Sequence, residues 1–290
     1  MGRSMAMHVA KSTTTTHVFD ISTDAVARCE EGGCLASSLE TIAASEMIIS
    51  SLPRSSDVAQ VATKLMNTGK LQNGTIWVDT TSGIPQMSAQ IANDLEKHGV
   101  CFIDAGVAGG PAGAKRGNLT AMVGSNSTQH LKKAQEIMQA FTSKVVHIGP
   151  SGSGHAVKAI NNSLLAAHII VAYEGLLTLS KCGIEMDKAL DAINAASGRS
   201  LVTEERIPKH VLTGKFDFGF EMGLMLKDID TAVECSQSLG VHSPVLNQVH
   251  RKFQEADKIL GTDAEHMEVL RLMEQQCGCE IRTQQLQFNE

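Results

Sequence analysis

The sequence predicts an α/β protein in which a domain with a mostly parallel sheet is followed by an all-helical domain. Up to about residue 150, short β-rich runs alternate with helix-like stretches, and this alternation is typical of a parallel sheet with crossover helices. From Gly154 onward the pattern is helical throughout. The 290 residues, 42% of them hydrophobic, can form two domains with separate cores.

The elements of the first part follow from periodicity and turn residues. Predicted strands lie at 17–20, 47–52, 76–80, 100–104, 121–124 and 145–149. Predicted helices lie between or before them, at 3–11, 23–31, 56–67, 85–98 and 127–141. A long helix is predicted at 155–181, so the domains are placed at 1–150 and 151–290.

Composition excludes several classes of function. A net charge of −6 with 3% aromatic residues argues against nucleic-acid binding, which needs a basic face or stacking rings. An uninterrupted apolar run of about 18 residues is absent, so no membrane span is predicted. The seven scattered Cys favour reduced thiols, and the eleven His lack metal-site spacing, so no metal is expected.

Three strand ends in the first part carry residues suited to a dinucleotide. Asp20 ends the first predicted strand, where a carboxylate can accept hydrogen bonds from ribose hydroxyls and repel a 2′-phosphate. Leu52 and Pro53 end the next strand, and Ser82 closes a run of three hydroxyls after another. Each signal alone is weak, because an Asp after a strand is more often a helix cap.

A glycine-rich GxGxxG loop between the first strand and its helix is the usual mark of such a domain. Here only Met1 and Gly2 precede the helix predicted at 3–11, so Gly2 can be the last glycine of that loop. Gly2 lies 18 residues before Asp20, which fits the fingerprint spacing. We therefore expect the first strand and two glycines to be absent, leaving neighbouring strands with unpaired edges.

The start of the long helix holds a candidate catalytic pair. Lys158 and Asn162 are four residues apart and share one helix face. A buried Lys can exchange a proton with a hydroxyl, while Asn orients a substrate without adding charge. The alternative, which each residue alone favours, is a solvated Lys and an Asn in a helix–helix contact.

Two further segments suggest substrate contacts. Gly109 and Gly110 follow a strand, and their consecutive N–H groups can form an anion site for a carboxylate. The alternative is a flexible surface loop. Lys227 and Asp228 follow the aromatic-rich segment 216–220, which can either line a pocket or belong to a buried helix with an exposed ion pair.

These blocks together resemble the β-hydroxyacid dehydrogenases, most closely the 3-hydroxyisobutyrate dehydrogenase-like branch. The shared order is MG, VFD, SLP, DTTS, DAGVAGGPAGA, GSGHAVKAINN and LKD, and it spans residues 1 to about 272. The resemblance implies a Rossmann domain, an all-α domain, NAD as cofactor, a small carboxylate substrate and a homodimer or homotetramer. It also implies a mitochondrial location, with the cytoplasm as the alternative.

The resemblance assigns a role to each candidate residue. Lys158 is the proton donor and acceptor, and Asn162 holds the substrate with it. Gly109 and Gly110 bind the substrate carboxylate, and Lys227 closes the pocket. The residues assigned to the cofactor are Gly2, Asp20, Leu52, Pro53, Ser82 and Asp228.

Two positions of the carboxylate loop depart from the family pattern, which reads DAPVSGG. Ala108 lacks the hydroxyl of the usual Ser, and Gly106 replaces a Pro and is expected to loosen the turn. Two hypotheses follow. The first is an NAD-dependent dehydrogenase that oxidises a small 3-hydroxy acid to its semialdehyde. The second is a non-catalytic or truncated relative that cannot bind NAD tightly.

Overall fold

The computed structural model describes residues 1–12 and 15–282. The chain divides into two compact units, Met1–Lys158 and a second unit that starts at Ala159. Each unit has its own core, and the two are described in turn.

The described residues of the first unit form seven strands in two sheets. They are β1 His17–Val18, β2 Leu35–Ala36, β3 Met47–Ser50, β4 Ile76–Asp79, β5 Cys101–Ala108, β6 Leu119–Ser125 and β7 Thr142–Gly149. Strands β1 and β2 pair in parallel, and the other five form a sheet in the order β3-β4-β5-β6-β7. Every pair of the larger sheet is parallel except β5 with β6. The α/β class with a mostly parallel sheet is confirmed.

Helices cover both faces of the larger sheet. They are α1 Gly2–Ser12, α2 Thr23–Glu30, α3 Leu39–Ala43, α4 Ser55–Asn67, α5 Pro85–Glu96, α6 Gly110–Arg116 and α7 Thr128–Met138. Because side chains alternate along a strand, Val78 of β4 faces a core with α1 and α7, while Trp77 faces a core with α4 and α5. All four residues of β4 are buried, as expected for a strand covered on both faces.

Several elements differ from the sequence prediction. Strand β5 runs to Ala108 rather than ending at residue 104, because antiparallel pairing with β6 extends it through Gly106. Helix α6 forms where the glycine run suggested a loop as one alternative. Strand β2 and helix α3 were not predicted, since each is too short to show a clear period.

Two strand edges in the first unit have no strand partner among the described residues. Strand β1 pairs only with β2, and β3 pairs only with β4. The predicted strand at 17–20 is shortened to His17–Val18. A strand of two residues with one partner has few ladder hydrogen bonds to hold it.

The second unit is helical. Helix α8, Ser153–Lys181, begins in the first unit and continues into the second. The elements that follow it are α9 Met186–Asn194, a π-helical segment Val202–Val211, α10 Met222–Ser238, α11 Pro244–Leu260, a 3₁₀ turn His266–Glu268 and α12 Val269–Cys277. Ile169, Tyr173 and Leu176 of α8 pack in one core with Ile229 of α10 and Phe253 of α11.

Helix α8 is long and apolar enough, by length and composition alone, to cross a membrane. It has 29 residues, the mean hydropathy of an 18-residue window is 1.5, and 39% of that window is buried. The sequence prediction rested on uninterrupted apolar runs, and polar residues such as Asn162 and Ser163 interrupt this helix. The core helix of a folded domain can pass the same test.

Candidate active site

The first turn of α8 is attached to strand β5 by a buried carboxylate. Asp104 is fully buried, and its two oxygens accept the backbone N–H groups of Gly152 at 2.6 Å and His155 at 2.9 Å. Burial raises the pKa of Asp104, while His155 and the backbone N–H groups act in the opposite direction. The carboxylate thus satisfies helix N–H groups that have no partner within the helix.

Lys158 lies one turn further along α8, and only 9% of it is exposed. Its stem packs on Gly106, where a Cβ would lie 2.5 Å from the Cβ of Lys158. The expectation that Gly106 loosens a turn is wrong, because Gly106 lies inside β5. Its missing side chain instead makes room for the Lys158 stem.

The two glycines predicted to bind an anion lie where β5 gives way to α6. Gly109 has a φ of +125° and Gly110 a φ of +62°, values that favour glycine. A Cβ on Gly109 would also lie 3.0 Å from the Leu119 side chain. Ala108 before them is half-buried and has no hydroxyl to add to their N–H groups.

Three of the predicted residues come together in the second unit. The Asn162 side-chain amide donates to Asp228 Oδ2 at 2.6 Å, and Lys227 Nζ lies 3.1 Å from Asp228 Oδ1. Asp228 is buried and is engaged through both oxygens. The acid therefore fixes the orientation of the amide of Asn162 and of the Lys227 ammonium, which remains partly exposed.

The hydroxyl cluster after β4 mostly faces inward. Asp79 accepts the Ser50 hydroxyl at 2.8 Å, and the Thr80 hydroxyl donates to the Ser50 carbonyl. Thr81 accepts the N–H of Leu52 at 3.0 Å, which ties the loop after β3 to the loop after β4. Ser82 is half-buried and Pro53 is exposed, so these two stand nearest to solvent.

The residues after β1 are exposed to solvent. Asp20 is exposed, and one of its carboxylate oxygens accepts the N–H of Ser22 at 2.9 Å. The residue whose side chain caps α2 is Ser22 and not Asp20. On either side of Asp20, Phe19 is 46% exposed and Ile21 is 96% exposed, a pair of apolar surfaces suited to a flat base. Gly2 begins α1, and the free N–H groups of a helix start favour a phosphate.

The aromatic segment 216–220 packs within the protein. Phe216 is buried in the core of the second unit, and the Arg206 guanidinium lies 3.3 Å from the centre of the Phe218 ring. Burial lowers the pKa of Arg206. This contact is not predictable from the sequence, because Arg206 lies in a segment whose π-helical winding around Pro208 departs from the usual helical period.

Two family models match the chain. One, described as the NAD binding domain of 6-phosphogluconate dehydrogenase, covers residues 1–149. The other, described as NAD-binding of NADP-dependent 3-hydroxyisobutyrate dehydrogenase, covers residues 152–273. Together they match nearly the whole described chain.

Characterised relatives align over most of its length. The 2-(hydroxymethyl)glutarate dehydrogenase of Eubacterium barkeri is 31% identical over 97% of this chain and 94% of the relative. The human mitochondrial 3-hydroxyisobutyrate dehydrogenase is 30% identical over 85% of this chain and 75% of the relative.

Solved structures share the fold. The 3-hydroxyisobutyrate dehydrogenase of Mycobacterium tuberculosis with L-serine has a TM-score of 0.86 at 23% identity, over 94% of this chain and 95% of that one. The enzyme of the same name from Salmonella typhimurium has a TM-score of 0.80 at 22% identity, over 93% and 95%.

Proposed function

The chain belongs to the 3-hydroxyisobutyrate dehydrogenase-like branch of the β-hydroxyacid dehydrogenases, and from that premise we propose that it oxidises a small 3-hydroxy acid to its semialdehyde. It is an NAD-dependent hydroxyacid dehydrogenase. NAD, when bound, accepts the hydride from the carbon that carries the hydroxyl group. The family therefore favours the enzyme over a non-catalytic relative.

Lys158 handles the hydroxyl proton in this proposal. The observation that carries it is the burial of Lys158 against Gly106, which holds a long and otherwise flexible side chain in place by its stem. The amine takes the proton as the hydroxyl is oxidised and returns it in the reverse reaction. Asn162 orients the substrate, and its own orientation comes from the bond to Asp228.

The substrate carboxylate binds at Gly109 and Gly110. Their positive φ angles favour glycine, and consecutive backbone N–H groups in such a segment can hold an anion. Lys227, which Asp228 holds within the second unit together with Asn162, is the further cation that we assign to the substrate. Ala108 gives this loop one hydroxyl fewer than the family pattern.

The cofactor is held by strand ends of the first unit. Asp20 accepts the ribose hydroxyls and selects against a 2′-phosphate, and Gly2 presents the start of α1 to the pyrophosphate. Leu52, Pro53 and Ser82 form one wall of the groove. Asp228, in the second unit, keeps its assignment to the cofactor as the residue that holds the Lys227 ammonium.

A substrate panel with the Lys158→Ala variant tests the proposal. We expect the wild-type chain to form NADH with 3-hydroxyisobutyrate, and Lys158→Ala to lose about two to four powers of ten in kcat, the usual share of general acid–base catalysis. Lys188→Ala is the matched control, because the Lys188 side chain is 74% exposed and pairs with Glu185 on the surface. Full activity of Lys158→Ala would remove Lys158 from the mechanism.

The E. barkeri relative favours a second candidate substrate. Its name states that it acts on 2-(hydroxymethyl)glutarate, and it aligns with 97% of this chain. That substrate carries a second carboxylate, so the panel includes it beside 3-hydroxyisobutyrate. A higher kcat/KM for the dicarboxylate would assign this chain to the larger substrate.

We further propose that the second unit forms a homodimer or homotetramer. Helix α8 exposes Ile160, Leu164 and Val171 along one face, at spacings of four and seven residues. Such a stripe is typical of a helix that packs against another copy. Leu164→Glu should give a smaller species in sedimentation experiments, and an unchanged species would contradict this interface.

The location proposed is the mitochondrion, on the strength of relatives such as the human enzyme. Fractionation of cells that make the full natural gene product tests this directly, and recovery in the cytosol alone would support the alternative.

A further inference from the structure

We propose that Asp104 is a positioning residue, whose carboxylate holds the first turn of α8 on strand β5 and thereby sets the place of Lys158. The inference rests on the proposed function, since the place of Lys158 matters to the rate only if Lys158 handles the proton. Asp104 itself reaches no substrate atom in this account. It acts through the helix.

The carboxylate binds at two points, one immediately before α8 and one within its first turn. Its oxygens accept N–H groups of Gly152 and His155, which are 48 and 51 residues further along the chain. Because the two acceptors belong to one rigid group, they fix the position and the rotation of the turn together. Lys158 follows His155 by three residues, so it moves with that turn.

Close packing against the strands leaves the first turn of α8 no room to take another position. A Cβ on Gly154 would lie 2.8 Å from the carbonyl oxygen of Asp104, so the helix backbone lies directly on the strand. Gly124 on β6 leaves the room that the Asp104 carboxylate occupies, because a Cβ there would meet the carboxylate oxygens. The glycines and the acid therefore form one fitted contact.

A side-chain bond fixes the same turn from another direction. The buried ring of His155 is hydrogen-bonded through Nδ1 to the Ser88 hydroxyl at 2.8 Å, and Ser88 also donates to the carbonyl of Ile84. This bond ties α8 to the start of α5. With Asp104 removed, His155 still holds the helix, so the variant should shift the turn rather than release it.

Asp104→Asn is the first test. The amide keeps one acceptor and turns an NH₂ group toward a helix N–H, so one of the two bonds is lost at nearly constant volume. A misplacement of about 1 Å can cost about 100-fold in rate, and we expect kcat to fall by about 10- to 100-fold with the KM for NAD unchanged within about twofold. Asp94→Asn, an exposed acid on α5 paired with Lys97, is the control.

Amide hydrogen exchange gives a readout that does not depend on turnover. The N–H groups of Gly152 and His155 should be protected in the wild-type protein and exchange faster in Asp104→Asn, while the core strands keep their protection. A loss of activity caused by general unfolding would instead raise exchange throughout the unit. Unchanged exchange at both amides would overturn the proposal.

Gly106→Ala perturbs the same contact without touching the carboxylate. The added methyl group would meet the Lys158 stem at 2.5 Å, so the helix must move to admit it. We expect the same signature, a lower kcat with a nearly constant KM for NAD. Gly149→Ala is its control, because the nearest atom to a Cβ there is the Ser153 hydroxyl at an ordinary 3.4 Å.

The outcomes separate the two proposals. If Lys158→Ala is inactive and both Asp104→Asn and Gly106→Ala keep the wild-type kcat, the positioning role is wrong and the proposed function stands. If Lys158→Ala keeps the wild-type kcat, the proposed role of Lys158 is wrong, and the positioning role that rests on it is wrong as well. If Asp104→Asn does not fold, Gly106→Ala still decides, since a normal kcat in that variant contradicts the fitted contact.

Discussion

Glu274 anchors the end of the second unit, and its replacement gives the sharpest test of that unit's packing. The buried carboxylate accepts the Tyr173 hydroxyl, the N–H of Ile281 at 2.9 Å and two N–H groups of Arg282, one of them at 3.0 Å. Burial alone would raise the pKa of Glu274, but the hydrogen bonds from Arg282 and Tyr173 outweigh it and hold the pKa below its usual value. The ionised form is therefore the one that the fold stabilises.

Glu274→Gln should lower the free energy of unfolding by about 3 kcal/mol at neutral pH. The amide can still accept from Tyr173 and Ile281, but it turns an NH₂ group toward Arg282, and one charge-assisted bond is lost, worth about 1.5–3 kcal/mol. Arg282 keeps the Ile281 carbonyl as an acceptor, but the loss of the negative charge beside its partly buried guanidinium adds to that cost. Urea unfolding followed by circular dichroism measures the difference.

The difference in the free energy of unfolding between wild type and Glu274→Gln should become smaller as the pH falls. Because the folded-state pKa of Glu274 is depressed, the stability that its ionised form contributes is present above the unfolded value of 4.5 and is lost as pH falls through the lower folded value. Wild type and Glu274→Gln should therefore converge in acid. Glu280→Gln is the control, since Glu280 is 77% exposed and 3.8 Å from Arg282. Equal stability of Glu274→Gln and wild type at neutral pH would refute the reasoning.

Two further predictions concern the binding residues. Asp20→Ser removes the carboxylate proposed to repel a 2′-phosphate. The ratio of kcat/KM for NADP to kcat/KM for NAD should therefore rise by at least about tenfold, or about 1.4 kcal/mol. An unchanged ratio would show that Asp20 does not select the cofactor. Ala108→Ser adds one hydroxyl beside Gly109, and a hydrogen bond of about 0.5–1.5 kcal/mol should lower the KM for the acid substrate by about 2- to 12-fold; a KM that stays the same would show that the carboxylate lies elsewhere.

The strength of the periodic signal decides which elements the sequence predicts. The strand at 76–80 and the helices flanking it are predicted within a residue or two, because β4 is buried on both faces and α4 and α5 repeat apolar residues at helical spacing. The extension of β5 to Ala108 is not predictable locally. It depends on antiparallel pairing with β6, which lies after a glycine-rich segment that has little preference of its own.

The candidate site also has features that the sequence predicts and features that depend on contacts between distant residues. The placement of Lys158 and Asn162 on one face of the same helix follows from their spacing alone. The partners of Asp104 do not, because they lie 48 and 51 residues away and are backbone groups that carry no sequence signature. Gly106 was assigned to a turn because a glycine in such a run is typical of one. The structure places it in a strand, where the neighbouring Lys158 explains the missing side chain.

The affinity and the rate of Lys158→Ala, measured side by side, test the central claim most directly. NAD binding is followed by titration calorimetry, and turnover by the appearance of NADH with 3-hydroxyisobutyrate. We expect NAD to bind Lys158→Ala within about twofold of wild type, while kcat falls by about two to four powers of ten. A variant that binds NAD normally and turns over at the wild-type rate would contradict the assignment of Lys158 as the proton acceptor.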